Sequence, residues 1–455
     1  MQAVINFIVS VVSTPALLVG LIACLGLALQ KKPGTKTLEG TVKTFVGFLV
    51  LIGGSGILQG ALAPFASMFK FALHVQGVVP SNEAVVAIAL QQYGTTTALI
   101  MFVGMIVNVL LARFTNFKYI FLTGQAMLYV SCLTAVILIS TGMKANFMTI
   151  LLGGLFEGTL LTITPALCQP FMRKITGGDA VAMGHTGNIG YATAGLMGKW
   201  FGNVKHSTED VKFPKGLSFL RDSTVSITLV MSIVYLALAI ITGPHFIETK
   251  LSDGTNFLVY AITQAGTFAA GFYVVLAGVR MILGEIVPAF QGIATKLVPN
   301  AKPALDVPII FPYGKNALLI GFFVSFIVGT LSMFVMIGLK TTVIIPGVVG
   351  HFFCGGAAGI YGNATGGRRG AVIGSAVNSL LISWLPLFIL PVLGNLKLAA
   401  STFADTDYLV PGILLGKLGS FGQVAVISGI IAFVVIVIIW SFFLKKNHEV
   451  EATKD

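Results

Sequence analysis

Charge is what this sequence has least of. Only 10% of its 455 residues are Asp, Glu, Lys or Arg, against about 25% in a soluble globular chain, and that scarcity excludes a water-soluble fold of this length. Cysteine is nearly as sparse. Cys24, Cys132, Cys168 and Cys354 stand singly, with no CxxC pair, so a disulfide framework is excluded and the four read as small packing hydrophobes. A nucleotide-binding P-loop is missing: Gly412 to Lys417 has three residues between its glycines where four are needed, and Leu418 follows. The six histidines are scattered without metal-site spacing, so no metal and no cofactor is expected. No Lys or Arg precedes Lys31, so the basic leader of a signal peptide is missing and the first apolar run is expected to be a retained helix.

What the chain has is apolar length: 56% hydrophobic residues, 53 glycines and a mean hydropathy of +0.93. It reads as an all-α polytopic membrane protein. With about twenty apolar residues per crossing, about eleven spans are expected, near 7–29, 43–62, 84–111, 119–141, 147–168, 224–243, 262–284, 315–338, 342–365, 370–393 and 423–444. The net charge of +12 lies in short groups between those runs: Lys31, Lys32 and Lys36; Arg113 and Lys118; Arg173 and Lys174; Arg368 and Arg369; Lys445 and Lys446. Eleven spans put all of them on one side, the cytoplasmic one. The amino terminus is then outside, the carboxyl terminus inside, and nucleic acid is not the partner. The long mixed-charge loop from Lys199 to Asp222, with Lys205, Glu209, Asp210, Lys212, Phe213, Pro214, Lys215 and Arg221, is either a solvated connector between halves or an amphipathic helix on the inner surface.

An internal repeat organises the spans. Gly47, Phe48, Gly54, Gly60 and Pro64 recur as Gly271, Phe272, Gly278, Gly284 and Pro288, each 224 residues on (271 against 47). The unit holds an odd number of crossings, so the second copy is inverted, as in secondary-type carriers. Repeat one covers about 7–200 and repeat two about 224–420, followed by the final span at 423–444; this membrane domain fills 1–445 and a short cytoplasmic tail 446–455. Within each repeat one polar stretch is too short to cross. Met183 to Tyr191 carries His185, Thr186, Asn188 and three glycines and is read as a re-entrant hairpin lining a cavity, or else as a loop before an interfacial helix. Its counterpart is expected near Ala400 to Gly419.

The residues expected to carry function follow from where polarity interrupts apolar sequence. His185 is the histidine embedded in a glycine-rich polar segment; His351 reads as packed or interfacial, and His206 and His448 as surface. Asp306 stands in Pro303-Ala304-Leu305-Asp306-Val307-Pro308, where prolines break the helix. A carboxylate there suits the hydroxyls of a polyol, or caps the next span. Glu285 is expected to pair with Arg280 or a loop cation. Gln125 and Tyr129 share a helical face, and Gln91 and Tyr93 add amide and phenol groups at the same expected wall. Gly53, Gly54 and Gly56 read as close helix packing, with Ser55 among them available to the cavity.

These segments, taken in order, resemble the membrane-embedded IIC component of the bacterial ascorbate phosphotransferase system. The likeness runs through Cys24-Leu25-Gly26, Gly40-Thr41-Val42-Lys43-Thr44, Gly54-Ser55-Gly56-Ile57-Leu58, Leu122-Thr123-Gly124, Gly184-His185, Glu209-Asp210-Val211-Lys212, Gly278-Val279-Arg280-Met281, Leu305-Asp306 and Ile344-Ile345-Pro346-Gly347. The resemblance implies a core domain and a V-shaped dimerisation domain, a homodimer in the bacterial inner membrane, elevator-like movement of the core, and a sugar acid phosphorylated by a separate IIB protein that a IIA protein recharges. It places His185 and Asp306 at binding positions and leaves the chemistry on the partners, with no catalytic residue in this chain. Three positions depart: Gln125 stands where the family has histidine, Tyr129 where it has glutamine, and Thr186 where glutamine follows the hairpin histidine. The substrate is therefore expected to be L-ascorbate, a related sugar acid or a pentitol. Two other classes fit parts of the pattern: an ion-coupled symporter, which the repeat and Asp306 suit equally, and an intramembrane enzyme with His185 as base, which lacks a nucleophile or metal set.

Overall fold

The structure is a computed structural model, and it describes residues 14–211, 223–393 and 401–443. Its helices, in chain order, are α1 (Pro15–Leu29), α2 (Gly34–Leu73), α3 (Asn82–Phe114), α4 (Gly124–Ser140), α5 (Phe147–Thr176), α6 (Asn188–Phe201), α7 (Ser223–Thr242), α8 (Pro244–Lys250), α9 (Phe257–Leu297), α10 (Lys315–Gly338), α11 (Gly356–Trp384), α12 (Thr406–Gly419) and α13 (Gln423–Phe443). Among the described residues seven helical stretches are long and apolar enough to cross a membrane. An eighth counts if Met231–Thr242 and Pro244–Lys250, bent by 102°, form one broken span.

One of the seven, Val348–Leu393, doubles back on itself. The chain turns at Gly366 and Gly367, where Gly367 takes φ +58°, a left-handed conformation that suits glycine. Beyond the turn the Ser375 hydroxyl donates to the Gly355 carbonyl at 3.1 Å, and a side chain on Gly362 would strike the Gly370 carbonyl. The two legs thus lie side by side where the sequence reading placed two spans. At 119–141 the sequence reading needs correction: Tyr119–Phe121 is a strand and the helix starts at Gly124, because these backbone groups pair across the chain rather than along it.

Among the described residues six strands of two to four residues build two parallel three-stranded sheets: β1 (Gly77–Pro80), β2 (Tyr119–Phe121), β3 (Ala182–Met183), β4 (Lys302–Leu305), β5 (Val343–Ile344) and β6 (Ser401–Thr402). One sheet runs β5-β1-β6 and the other β2-β4-β3. Each has a centre strand from one half of the chain and two edges from the other. The registers correspond: β1 pairs Gly77 with Val343 and Val79 with Ser401, while β4 pairs Lys302 with Tyr119 and Ala304 with Ala182. Counterparts stand 225 residues apart for β1 and β4 (77, 302), 224 for β2 and β5 (119, 343) and 219 for β3 and β6 (182, 401).

Helices α2 and α9, of 40 and 41 residues, cross through glycines. A Cβ on Gly54 would lie 2.6 Å from the Val275 nitrogen, and one on Gly278 2.5 Å from the Leu51 nitrogen. Close backbone approach of this kind is how helices associate in lipid, where apolar surface alone gives no preference for protein over tails. Gly53 and Gly56 meet nothing within 4 Å among the described residues, so of that trio Gly54 is the one seen packing against α9 there. The described part of the loop after α6 is pinned to the next helix: Glu209 accepts from the Asn316 and Ala317 N–H groups at 3.1 and 2.9 Å, capping α10. Residues 212–222 of that loop lie outside the described set.

Candidate functional site

The two polar stretches meet tip to tip. After β3 the chain passes through Gly184 to Gly187 and enters α6; after β6 it passes through Phe403 to Asp405 and enters α12. The Asp407 carboxylate accepts from the Asn188 and Ile189 N–H groups at 3.1 and 2.8 Å, capping α6 from the opposite half of the chain. Such a carboxylate satisfies orphan donors and complements the positive end of the helix dipole. The Asp407 N–H donates to the Thr186 carbonyl at 2.8 Å, the Thr186 hydroxyl to Asp405 at 2.6 Å, and the Gly190 N–H to the Thr406 hydroxyl at 3.0 Å. Thr186 with Asp405 and Asn188 with Asp407 are each 219 residues apart, the spacing of β3 and β6, so counterpart residues touch each other.

Beside this junction is a cavity of about 190 Å³. Asn82 and Glu83 reach it from the start of α3, Gln125 and Tyr129 from α4, and His185 and Thr186 from the first tip. Asp306, Val307 and Pro308, then Val349 and Phe353, line it too, with Asp405 and Tyr408 from the second tip. Helix α9 adds Phe272, Leu276 and Arg280. At the strand spacings above, Asn82 and Glu83 correspond to Val307 and Pro308, and Gln125 and Tyr129 to Val349 and Phe353. At these four pairs of counterpart positions the first half is polar or amphipathic and the second apolar, while Arg280, Asp306, Asp405 and Tyr408 bring polar groups from the second half.

His185 has a defined tautomer. The Gly187 N–H donates to Nδ1 at 3.2 Å, so Nδ1 carries no proton, and the Tyr191 hydroxyl lies 2.7 Å from the same atom. The proton is thereby assigned to Nε2, which is left as the free donor of the ring. Asp306 Oδ1 caps the 3₁₀ turn Val307–Tyr313 rather than the next span, accepting from Val307 N–H at 2.8 Å, and the residue lines the cavity. The Tyr129 hydroxyl, buried beside Gln125, makes no hydrogen bond of good geometry among the described residues, so a ligand hydroxyl can satisfy it.

Of the residues singled out in the sequence, His185, Asp306, Gln125, Tyr129 and Thr186 converge on this cavity. Gln91 is exposed and Tyr93 half-buried where the α3 backbone breaks (φ −128°, ψ 20°), and neither lines it. Ser55 is on α2, and its side chain lies outside the described set. Glu285 pairs with Lys43 at 3.7 Å, not with Arg280, which is left to the cavity. His351 is packed, 4% exposed, with Nδ1 2.7 Å from the Ser325 hydroxyl. Sequence reasoning missed Asn82, Glu83, Asp405 and Tyr408. The first two are signalled by the repeat, since they fall opposite the residues following Asp306.

One trio has metal-ligand geometry that sequence spacing did not show, because its members come from three distant segments. Ligand atoms of His185, Cys354 and Asp405 lie within 4.8 Å of one another. Each is engaged within the protein: His185 with Gly187 and Tyr191, Asp405 with Thr186, and Cys354 with the Tyr191 hydroxyl at 3.9 Å. The cluster reads as a hydrogen-bonded support for the imidazole. Away from the cavity, Asp179 joins α5 to β4 through Arg173 at 2.8 Å and Lys302. Burial acts to raise its carboxyl, but hydrogen bonds from Arg173, Lys302 and Gln169 outweigh that and hold it at about 2.

Comparison with known proteins fits this geometry. The chain is 28% identical to the "Ascorbate-specific PTS system EIIC component" of Mycoplasma pneumoniae (strain ATCC 29342 / M129 / Subtype 1) over 411 residues, covering 79% of this chain and 62% of that protein. It thus spans less than two thirds of that relative's length. The family model described as EIIC-GAT, PTS system sugar-specific permease component, matches residues 10–407. This polytopic helical chain belongs to the family of sugar-specific permease components of the phosphotransferase system.

Proposed function

We propose that this protein is the translocating component of a phosphotransferase system for a small sugar acid, with L-ascorbate the first candidate and a related sugar acid or pentitol next. The observation that carries the reading is the convergence of His185, Asp306, Gln125, Tyr129 and Thr186 on one cavity at the junction of the two hairpin tips. The lining offers the Nε2 donor of His185, the carboxylate of Asp306 and the amide of Gln125 to vicinal hydroxyls. Val307, Pro308, Val349 and Phe353 in the same lining suit the apolar face of a sugar-derived ring. Arg280 is the one cation in the lining, with no ion pair among the described residues. It answers the negative charge of an acid substrate.

In this reading the hairpins are re-entrant and belong to two inverted repeats, and the chain crosses the inner membrane about eleven times. The amino terminus is outside and the basic loops and carboxyl terminus are cytoplasmic. Helices α1, α2, α7 and α9, packed on one another, form the V-shaped body that pairs two copies. The remaining helices form a core that carries the cavity across in elevator fashion, and a IIB protein, recharged by IIA, phosphorylates the substrate at the inner face. The test is uptake of labelled ascorbate by cells expressing this chain with its IIA and IIB partners. Accumulation of the phosphate, lost when the IIB cysteine is replaced, is the expected result. Uptake of unmodified ascorbate that follows an ion gradient would contradict it and favour a symporter.

A further inference from the structure

A second cavity, about 580 Å³, backs onto the same hairpins between α5, α12 and α13. Helix α12 turns Tyr408 to the first cavity and Val410, Leu414 and Leu418 to the second. Ile189, whose N–H is held by Asp407, is part of its lining. Along one side the rings of Phe156 and Phe433 meet with centroids 5.8 Å apart. The groove follows α13 from Gly429 to Trp440, roughly 16 Å at the helical rise per residue. Only Thr164 and Lys417 interrupt its apolar lining.

These features select an occupant. A long, narrow space with almost no donors or acceptors stays free of water and gives a peptide backbone nothing to bond. It accepts an unbranched hydrocarbon chain. Lys417 stands at one end, on the last turn of α12, exposed and with no carboxylate partner among the described residues. A flexible ammonium on an apolar stem reaches an anionic headgroup from that position. We propose that the groove is a binding site for a bilayer phospholipid, one acyl chain lying between α5 and α13 and the phosphate on Lys417. The bound chain braces α6 and α12 from behind, opposite the face on which their tips meet the first cavity. This inference needs a membrane-embedded chain and does not depend on which substrate the first cavity takes.

The test uses the full chain, delipidated in detergent and then returned to nanodiscs. Retained lipid is counted by mass spectrometry, and thermal stabilisation is compared between added phosphatidylglycerol and added diacylglycerol, which lacks the phosphate. The wild type should retain phospholipid and gain more from phosphatidylglycerol. Leu414→Trp, which fills the groove, should abolish retention. Lys417→Gln should reduce the preference for phosphatidylglycerol by about fivefold, the effect of one basic residue near a headgroup. Equal retention by wild type and both variants would overturn the proposal. So would efficient cross-linking between copies carrying Leu414→Cys, since a second subunit would then cover the groove.

Discussion

The two halves of the molecule share a frame and differ in what they hang on it. Ser81 and Asp306 each follow a centre strand and cap the next helical turn, Ser81 accepting from Ala84 N–H at 3.3 Å and Asp306 from Val307 N–H at 2.8 Å. At the tips, Thr186 faces Asp405 and Asn188 faces Asp407. The first half thus supplies donors and the second carboxylates. Around the cavity the polarity runs the other way: Asn82, Glu83, Gln125 and Tyr129 correspond to Val307, Pro308, Val349 and Phe353. Where the corresponding tips meet, counterpart residues touch one another. Identical residues there would set like charges together or leave donors opposite donors. The difference between counterpart positions is what gives the cavity both polar and apolar lining.

That asymmetry can be tested at decreasing scale. Asp306→Asn replaces an acceptor-only group by one that also donates, and the loss of a charge-assisted hydrogen bond, about 1.5–3 kcal/mol, should weaken substrate binding roughly ten- to hundredfold in equilibrium titration. Asp407→Ala should remove the trans cap of α6 and cost about 0.5–2 kcal/mol, seen as a lower melting temperature. An unchanged melting temperature would show that the tips do not hold one another. Gln125→Leu should weaken binding by about two- to tenfold, the worth of one neutral hydrogen bond, whereas Val349→Leu in the apolar lining should leave affinity within about twofold. Equal losses at both positions would remove the distinction between polar and apolar lining. The smallest effect concerns Asp179. Its folded pKa of about 2 lies below the ordinary 3.8, so its contribution is complete above pH 4 and is lost as the pH falls toward 2. Melting curves across that window should show a steeper acid limb in the wild type than in Asp179→Asn.

Much of this was legible because polarity is expensive in an apolar chain. His185, Thr186 and Asp306 stand out by the company they keep, and Gln125 and Tyr129 by helical spacing. The strands were not legible: two to four residues each, they show no alternation, and what fixes them is pairing with segments more than 100 residues away. The same distance hid the junction of Thr186 with Asp405. Gln91 and Tyr93 misled because residue type at a span was taken for direction, and the break of α3 at Tyr93 turns that stretch elsewhere. Arg280 was set against Glu285 by sequence proximity, but Glu285 sits five residues along the helix, against Gly40 and Lys43 of α2.

The most direct measurement is equilibrium binding of labelled L-ascorbate to the purified, folded protein, with His185→Ala and Asp306→Asn alongside and their folding checked by melting. Saturable binding to the wild type, lost or strongly weakened in both variants while their melting stays cooperative, is the expected result. Undiminished binding in both variants would contradict the site.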